Sequence, residues 1–382
     1  MPIYLCGVFN GPLTGQKQTL LAIKDILEHK FSLELLDAPT FNKYFPYTWL
    51  AYITRTLLIS FFNKKPRTFY LIINRSRVSF WLRDLPIYIA ASATNSKLIC
   101  HLVGSDIEFF ISKSNFIEKF LIRIFFTKVN AWVLLGKAMK IQVENVYKDL
   151  GIKNKSSCYR DGELNAFELR GFYPIESDNF FDESKINLKI QNFGNNIRIG
   201  YMSNLMEEKG IVEFIESMIF LKEILGYDIK VWIAGAFIGK PSDRLNNAIN
   251  LANSKDYIKV LGLAKGELKW NSLLDTDIFI LPSYYKIEAL PLSLVEAMRF
   301  GCLCVSSSIG EINNLLENDR GIIMKEVSVN SITQSVEGIL ADKSQSKQMI
   351  KNSLLYTSQE FSYAVYKIKL LKLMESFLKK SV

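Results

Sequence analysis

Leu281-Pro282-Ser283-Tyr284-Tyr285-Lys286-Ile287-Glu288-Ala289-Leu290-Pro291-Leu292-Ser293-Leu294-Val295-Glu296-Ala297-Met298 is the stretch on which the fold turns. An apolar run reads as a strand ending at Leu281, and a short loop leads to a helix for which Pro291 is a suitable first residue, since the N–H it lacks would be unpaired there. A strand that runs straight into a helix in this way is one β-α unit, and ligands of open α/β sheets sit outside the carboxyl ends of such strands. The helix start offers unpaired N–H groups and a positive dipole end to an anion. Glu288 precedes that helix and Glu296 lies in its second turn, and side chains lean toward a helix N-terminus. Both carboxylates are therefore expected at one crevice, where they suit hydroxyls of a sugar or ribose. A solvated or helix-internal Glu296 is the plainer alternative.

The same alternation extends outward in both directions. Strands are expected at Ile3–Val8, Phe69–Ile73, Lys97–Leu102, Ala131–Leu135, Ile197–Met202, Ile229–Ala234, Tyr257–Leu261, Asp277–Leu281 and Leu303–Ser306, with amphipathic stretches between them, which is the pattern of parallel sheets in an α/β protein. At 382 residues the chain is long enough for two domains. Gly171 to Asn195, with Pro174, two glycines and a Ser/Asp/Asn cluster, reads as the linker. The expected units are 1–185 including that linker, 186–360, and a final amphipathic helix in 361–382, centred on Tyr363–Lys380.

Two further strand-loop-helix junctions could meet an anion. After Ile197–Met202, the loop Ser203 to Gly210 brings Lys209 to a helix start, although such a lysine read alone is commonly a surface residue. After the first strand, Gly11-Pro12-Leu13-Thr14-Gly15 lets a ligand approach the backbone closely. It is neither the dinucleotide fingerprint nor a P-loop.

Charge is uneven. Of 47 basic and 38 acidic residues, 19 and 10 fall in 1–150, so the whole excess of +9 lies there. Arg55, Lys64, Lys65 and Arg67 bracket the apolar Leu57–Phe62, and the neighbouring Tyr44–Tyr52 is rich in aromatics. That company favours an anionic membrane surface over nucleic acid as the partner; a domain core with a basic rim is the alternative. Pro46 and Arg55 interrupt the most apolar run, so no span is expected. No signal segment is visible, and five cysteines without framework spacing fit the cytoplasm. Cys302-x-Cys304, with two histidines in the chain, does not make a zinc site. Asp275-Thr276-Asp277 lies at the far end of its strand from the ligand edge and reads as a turn.

The run Pro282-Ser283 through Glu288, Pro291-Leu292-Ser293 and Glu296-Ala297-Met298, followed by Gly301, resembles the signature of retaining glycosyltransferases of family 4, whose hallmark is two glutamates with seven residues between them. The resemblance covers nearly all of 197–324 and continues more thinly at Gly11–Gly15 and His101–Asp106. It implies a GT-B fold: two Rossmann-like domains facing across a cleft, with the C-terminal helix crossing back to the N-terminal domain. It also implies a nucleotide-sugar donor, with UDP favoured, and transfer with retention, no cofactor and no metal. Lys209, Glu288 and His101 would be catalytic. Asn204, Lys209, Gly235, Leu263, Glu288, Ala289, Leu290, Pro291, Leu292 and Glu296 would bind the donor, with Lys209 on the diphosphate and Glu296 on the ribose. Gly11, Thr14 and Gly15 would form a glycine-rich loop.

Three positions depart from the family pattern: Asn204 stands for an arginine, Ala289 for a glycine and Val103 for a histidine. His101, two residues before Val103 on the same strand, could take that role or belong to the core. The acceptor expected is a lipid-linked saccharide or another bacterial envelope polysaccharide precursor, handled at the inner face of the cell membrane. A transferase for a soluble small molecule and a nucleotide-sugar-binding subunit without catalysis are the alternatives.

Overall fold

The structure is a computed structural model that describes residues 2–10, 15–40, 44–62, 67–73, 77–152, 157–160 and 162–379. The chain divides into two compact units, 1–170 with 366–382, and 171–365.

The first unit holds one six-stranded sheet in the order β2-β1-β3-β4-β5-β8, made of β1 (Ile3–Gly7), β2 (Leu33–Asp37), β3 (Thr68–Ile72), β4 (Lys97–His101), β5 (Ala131–Leu134) and β8 (Ala166–Glu168). A small antiparallel hairpin, β6 (Tyr159–Arg160) and β7 (Glu163–Leu164), precedes β8. Every pairing in the large sheet is parallel. Strands of a parallel sheet are covered on both faces and so read as continuous apolar runs. β1, β3 and β5 are buried along their whole length. β2 and β8 escaped the sequence reading because Glu34 and Glu168 break up short, half-exposed segments.

One expectation about this unit is corrected. Arg67, placed at a membrane surface, is buried at the foot of β3. Its guanidinium donates to the Ile59 carbonyl at 3.1 Å and lies 5.1 Å from the Tyr4 ring centre, which ties the helix Phe45–Phe62 to the sheet. Pro46 falls in the first turn of that helix, where a missing N–H is harmless.

The second unit repeats the architecture in the order β11-β10-β9-β12-β13-β14, with β9 (Ile197–Met202), β10 (Ile229–Ala234), β11 (Ile258–Val260), β12 (Ile278–Leu281), β13 (Leu303–Ser307) and β14 (Ile322–Met324), again all parallel. From β9 the chain moves outward to β10 and β11, then returns to lay β12 on the other side of β9. The strand order therefore reverses between β9 and β12, and a crevice opens outside the carboxyl ends of strands at such a point.

Residues 171–195, read as a linker, belong to this unit. Asp182 caps the helix Glu183–Gln191 by accepting the Lys185 N–H at 3.0 Å, and Ile186, Ile190 and Phe193 join the core. The polar cluster that suggested a linker is a turn and a helix cap. No described helix is long and apolar enough to cross a membrane.

Candidate functional site

The loops after β9 and β12 are stitched together at the reversal point. Gly210 ends the short turn Glu207–Lys209 with φ +70°, and a Cβ there would stand 2.0 Å from the Pro282 carbonyl oxygen, so only glycine lets the two backbones approach this closely. The Tyr284 N–H donates to the Glu208 carbonyl at 2.8 Å. Ser307, at the end of β13, donates its hydroxyl to the Ser283 carbonyl.

These contacts bring Lys209 and Glu288 together. The Lys209 ammonium donates to Glu288 Oε2, and both side chains are nearly buried. Ser283 Oγ donates to the same oxygen at 3.2 Å. The Tyr285 ring centre lies 4.7 Å from Lys209 Nζ, so the cation rests over an aromatic face. The Tyr201 hydroxyl, at the carboxyl half of β9, donates to the Lys209 carbonyl at 3.3 Å. From the other side Gly310, at φ +54°, would carry a Cβ 2.3 Å from the Glu288 carbonyl oxygen; its lack of a side chain lets the loop after β13 press on Glu288.

The helix Leu292–Arg299 starts one residue later than expected. Pro291 is its N-cap, with extended backbone, and the peptide N–H of Leu292 is the first that the helix presents. Glu296 is buried on this helix and pairs with a lysine other than Lys209. Lys269, on the helix Gly266–Leu274, donates to Glu296 Oε1 at 2.7 Å and lies 4.2 Å from the Trp270 ring centre. Burial pushes the Glu296 carboxyl above the ordinary carboxylate range, and the Lys269 charge pulls it back down. Lys269 thereby favours the charged form of a carboxyl that burial disfavours.

Other expected donor residues lie at the same sheet edge. Asn204 is exposed in the loop after β9, Gly235 follows β10 and donates its N–H to the Gly262 carbonyl at 2.8 Å, and Leu263 is exposed after β11. Ala289 is buried, with its carbonyl accepting the Glu311 N–H at 2.7 Å, and Leu290 and Leu292 are half-buried. Sequence reasoning missed Ser283, Tyr285 and Lys269. Lys269 sits 27 residues from Glu296 on a different helix, and no local pattern announces such a pair.

His101 belongs to the first unit. It ends β4 in the first unit, wholly buried, with Nδ1 3.0 Å from the Tyr70 hydroxyl and Nε2 without a partner among the described residues. Burial lowers its pKa to about 3, so the ring is neutral. The core alternative fits this burial: a strand that parallel neighbours and helices cover on both faces buries its last residue as well. Gly15 opens the helix Gly15–Glu28 and is exposed, whereas Gly11, Thr14, Lys64 and Lys65 lie outside the described residues. Asp277 Oδ2 accepts the Arg198 N–H at 2.9 Å, at the amino end of β12.

Two all-parallel Rossmann-like sheets with these strand orders define the GT-B fold. Anabaena HepE, crystallised with UDP-glucose, superposes on 98% of this chain and 100% of its own at a TM-score of 0.66 and 15% identity. Residues 182–355 match the family model of the Glycosyl transferases group 1. The capsular polysaccharide biosynthesis glycosyltransferase CapM of Staphylococcus aureus is 20% identical over 251 residues, 65% of this chain and 62% of CapM. The amylovoran biosynthesis glycosyltransferase AmsK of Erwinia amylovora is 32% identical over 143 residues, 36% of this chain and 34% of AmsK. The chain thus matches less than two thirds of the length of either relative.

Proposed function

We propose that this chain is a retaining glycosyltransferase that moves a sugar from a nucleotide-sugar donor, with UDP favoured, to a lipid-linked saccharide or another envelope polysaccharide precursor. The observation that carries the reading is the meeting of Lys209 and Glu288 at the reversal point of the second sheet, with Glu296 buried on the helix that follows.

In this reading the donor diphosphate displaces Glu288 from Lys209. The ammonium and the first N–H groups of Leu292–Arg299 then face the charge that develops on the leaving diphosphate, which is where preorganised donors lower a barrier most. Protein groups, without a metal, balance that charge. Glu288, held by Ser283, is free to accept hydroxyls of the transferring sugar, and Glu296, paired with Lys269, accepts those of the ribose. The UDP-glucose bound by HepE and the capsular role of CapM support the donor and acceptor classes.

The acceptor places the work in the cytoplasm, at the inner face of the cell membrane. Support comes from the helix Phe45–Phe62, which exposes Tyr47, Leu50, Leu58 and Arg55. A thermal-shift panel of UDP-, GDP- and ADP-sugars, followed by release of free nucleotide with the best binder, tests the proposal, because a ligand held only by the folded state raises its stability. Binding without any turnover on lipid-linked acceptors would leave a nucleotide-sugar-binding subunit.

A further inference from the structure

The helix Phe116–Phe126 of the first unit is apolar on two opposite sides. One side is core: Ile122 and Phe126 are buried, and the Phe126 ring meets Trp132 edge-on with centres 5.4 Å apart. The other side turns Phe116, Ile117, Phe120 and Ile124 to solvent, with 85%, 67%, 55% and 42% of each residue exposed. At 100° per residue these four fall within an arc of roughly 100° on one helix face. An apolar face that the rest of the chain leaves bare marks a place of association.

The charges around this face favour one occupant. Lys119 and Arg123, one turn apart, run beside the apolar arc, and Lys113 and Lys128 are exposed just before and after the helix. The single acid of the helix, Glu118, is already engaged: it caps the helix N-terminus with Asn115 and pairs with Arg77 at 2.6 Å. A second copy of the chain would bring the same basic surface against itself, in a segment where 19 basic residues face 10 acidic ones over 1–150. An anionic lipid surface meets both the charge and the apolar residues.

We infer that this face docks on an anionic lipid surface, with Phe116, Ile117, Phe120 and Ile124 entering the headgroup boundary and Lys113, Lys119, Arg123 and Lys128 meeting lipid phosphates. At 11 residues the helix is too short to span and lies in the plane of the interface. The inference deepens the membrane part of the proposed function and rests on it, but it assigns the contact to a helix separate from Phe45–Phe62.

Flotation of the full chain with vesicles of equal parts phosphatidylglycerol and phosphatidylcholine at low salt provides the test. Changing Phe116, Ile117, Phe120 and Ile124 together to Ser is expected to lower the bound fraction about tenfold or more, while free-nucleotide release by the second unit is unaffected. A second readout does not depend on that variant. All five native cysteines are buried, so Ile117→Cys can be labelled selectively with an environment-sensitive dye, whose emission should rise with these vesicles and stay flat with pure phosphatidylcholine. Full binding by the quadruple variant, with no change in the dye, would overturn the inference and leave membrane association to another surface. Failure of the unaltered chain to float would overturn both this inference and the membrane part of the proposed function. A dimer that the quadruple variant dissolves, without vesicle binding, would overturn the lipid assignment in favour of a second copy.

Discussion

Lys209 and Glu288, 79 residues apart in sequence, are joined by a buried charge-assisted hydrogen bond because their loops leave neighbouring parallel strands, β9 and β12, at the one place where the strand order reverses. Each is the other's counter-charge. Removing one partner strands a nearly buried charge, a loss of about 3 to 5 kcal/mol on the usual scale. Lys209→Met should show that loss in urea unfolding, and Lys209→Met/Glu288→Gln should recover most of it. A double variant no more stable than the single would contradict the pairing.

The two glutamates should separate kinetically. Glu288→Gln is expected to lower kcat without weakening nucleotide binding, since its contact matters where the sugar reacts, whereas Glu296→Ala should weaken nucleotide binding. Normal turnover in Glu288→Gln would sink its assignment.

Lys269 holds down the carboxyl of Glu296 against the upward push of burial. In Lys269→Met that counterweight is gone, so Glu296 protonates at a higher pH and loses its capacity as an acceptor. Calorimetric titrations of UDP at pH 8 and pH 6 should show affinity falling toward acid more steeply in Lys269→Met than in the unaltered chain. Parallel pH dependences would refute the positioning role.

Gly210 and Gly266 give a matched comparison. Both have positive φ, but a Cβ at Gly210 would strike the Pro282 backbone, while at Gly266 it meets nothing within 4 Å. Gly266→Ala should cost about 1 kcal/mol, and Gly210→Ala clearly more, on the order of 3 kcal/mol, with loss of nucleotide affinity as the loops part. Equal thermal shifts would show that the close approach is not what Gly210 provides.

His101 makes a pH prediction. Its folded pKa of about 3 lies below the ordinary value near 6.5, so the stability tied to its neutral ring is fully present above about 6.5 and is lost as pH falls toward 3. By pH 4.5 the loss through this ring is roughly 2 to 3 kcal/mol. His101→Phe should therefore flatten the acid side of the stability profile of the first unit, and an unchanged slope would contradict the burial argument.

Much of this architecture was readable from apolar runs and their punctuation. β9 and β10 match the sequence expectation to the residue, because each is a mostly buried apolar run with sharp ends, broken only by an exposed Arg198 or Lys230 at its second position. β2, β8 and β14 were missed, being edge or next-to-edge strands with partly exposed residues. At the candidate site, the spacing of Glu288 and Glu296 and the position of Lys209 at a helix start were legible. Their partners were not, since Ser283 reaches Glu288 through a loop conformation and Lys269 reaches Glu296 from another helix. The burial of Arg67 and His101 was hidden for the same reason: charge and residue type mark a candidate, but only packing decides whether it faces solvent.

The central claim is that the reversal point between β9 and β12 holds a nucleotide-sugar. Calorimetric titration of UDP-sugars into the full chain tests it most directly, with Lys209→Ala and Gly266→Ala in parallel. The account predicts one site per chain, with affinity reduced about tenfold or more in Lys209→Ala, the scale of one lost charge-assisted contact, and retained in Gly266→Ala. Absence of binding across UDP-, GDP- and ADP-sugars, or equal affinity in Lys209→Ala, would contradict it.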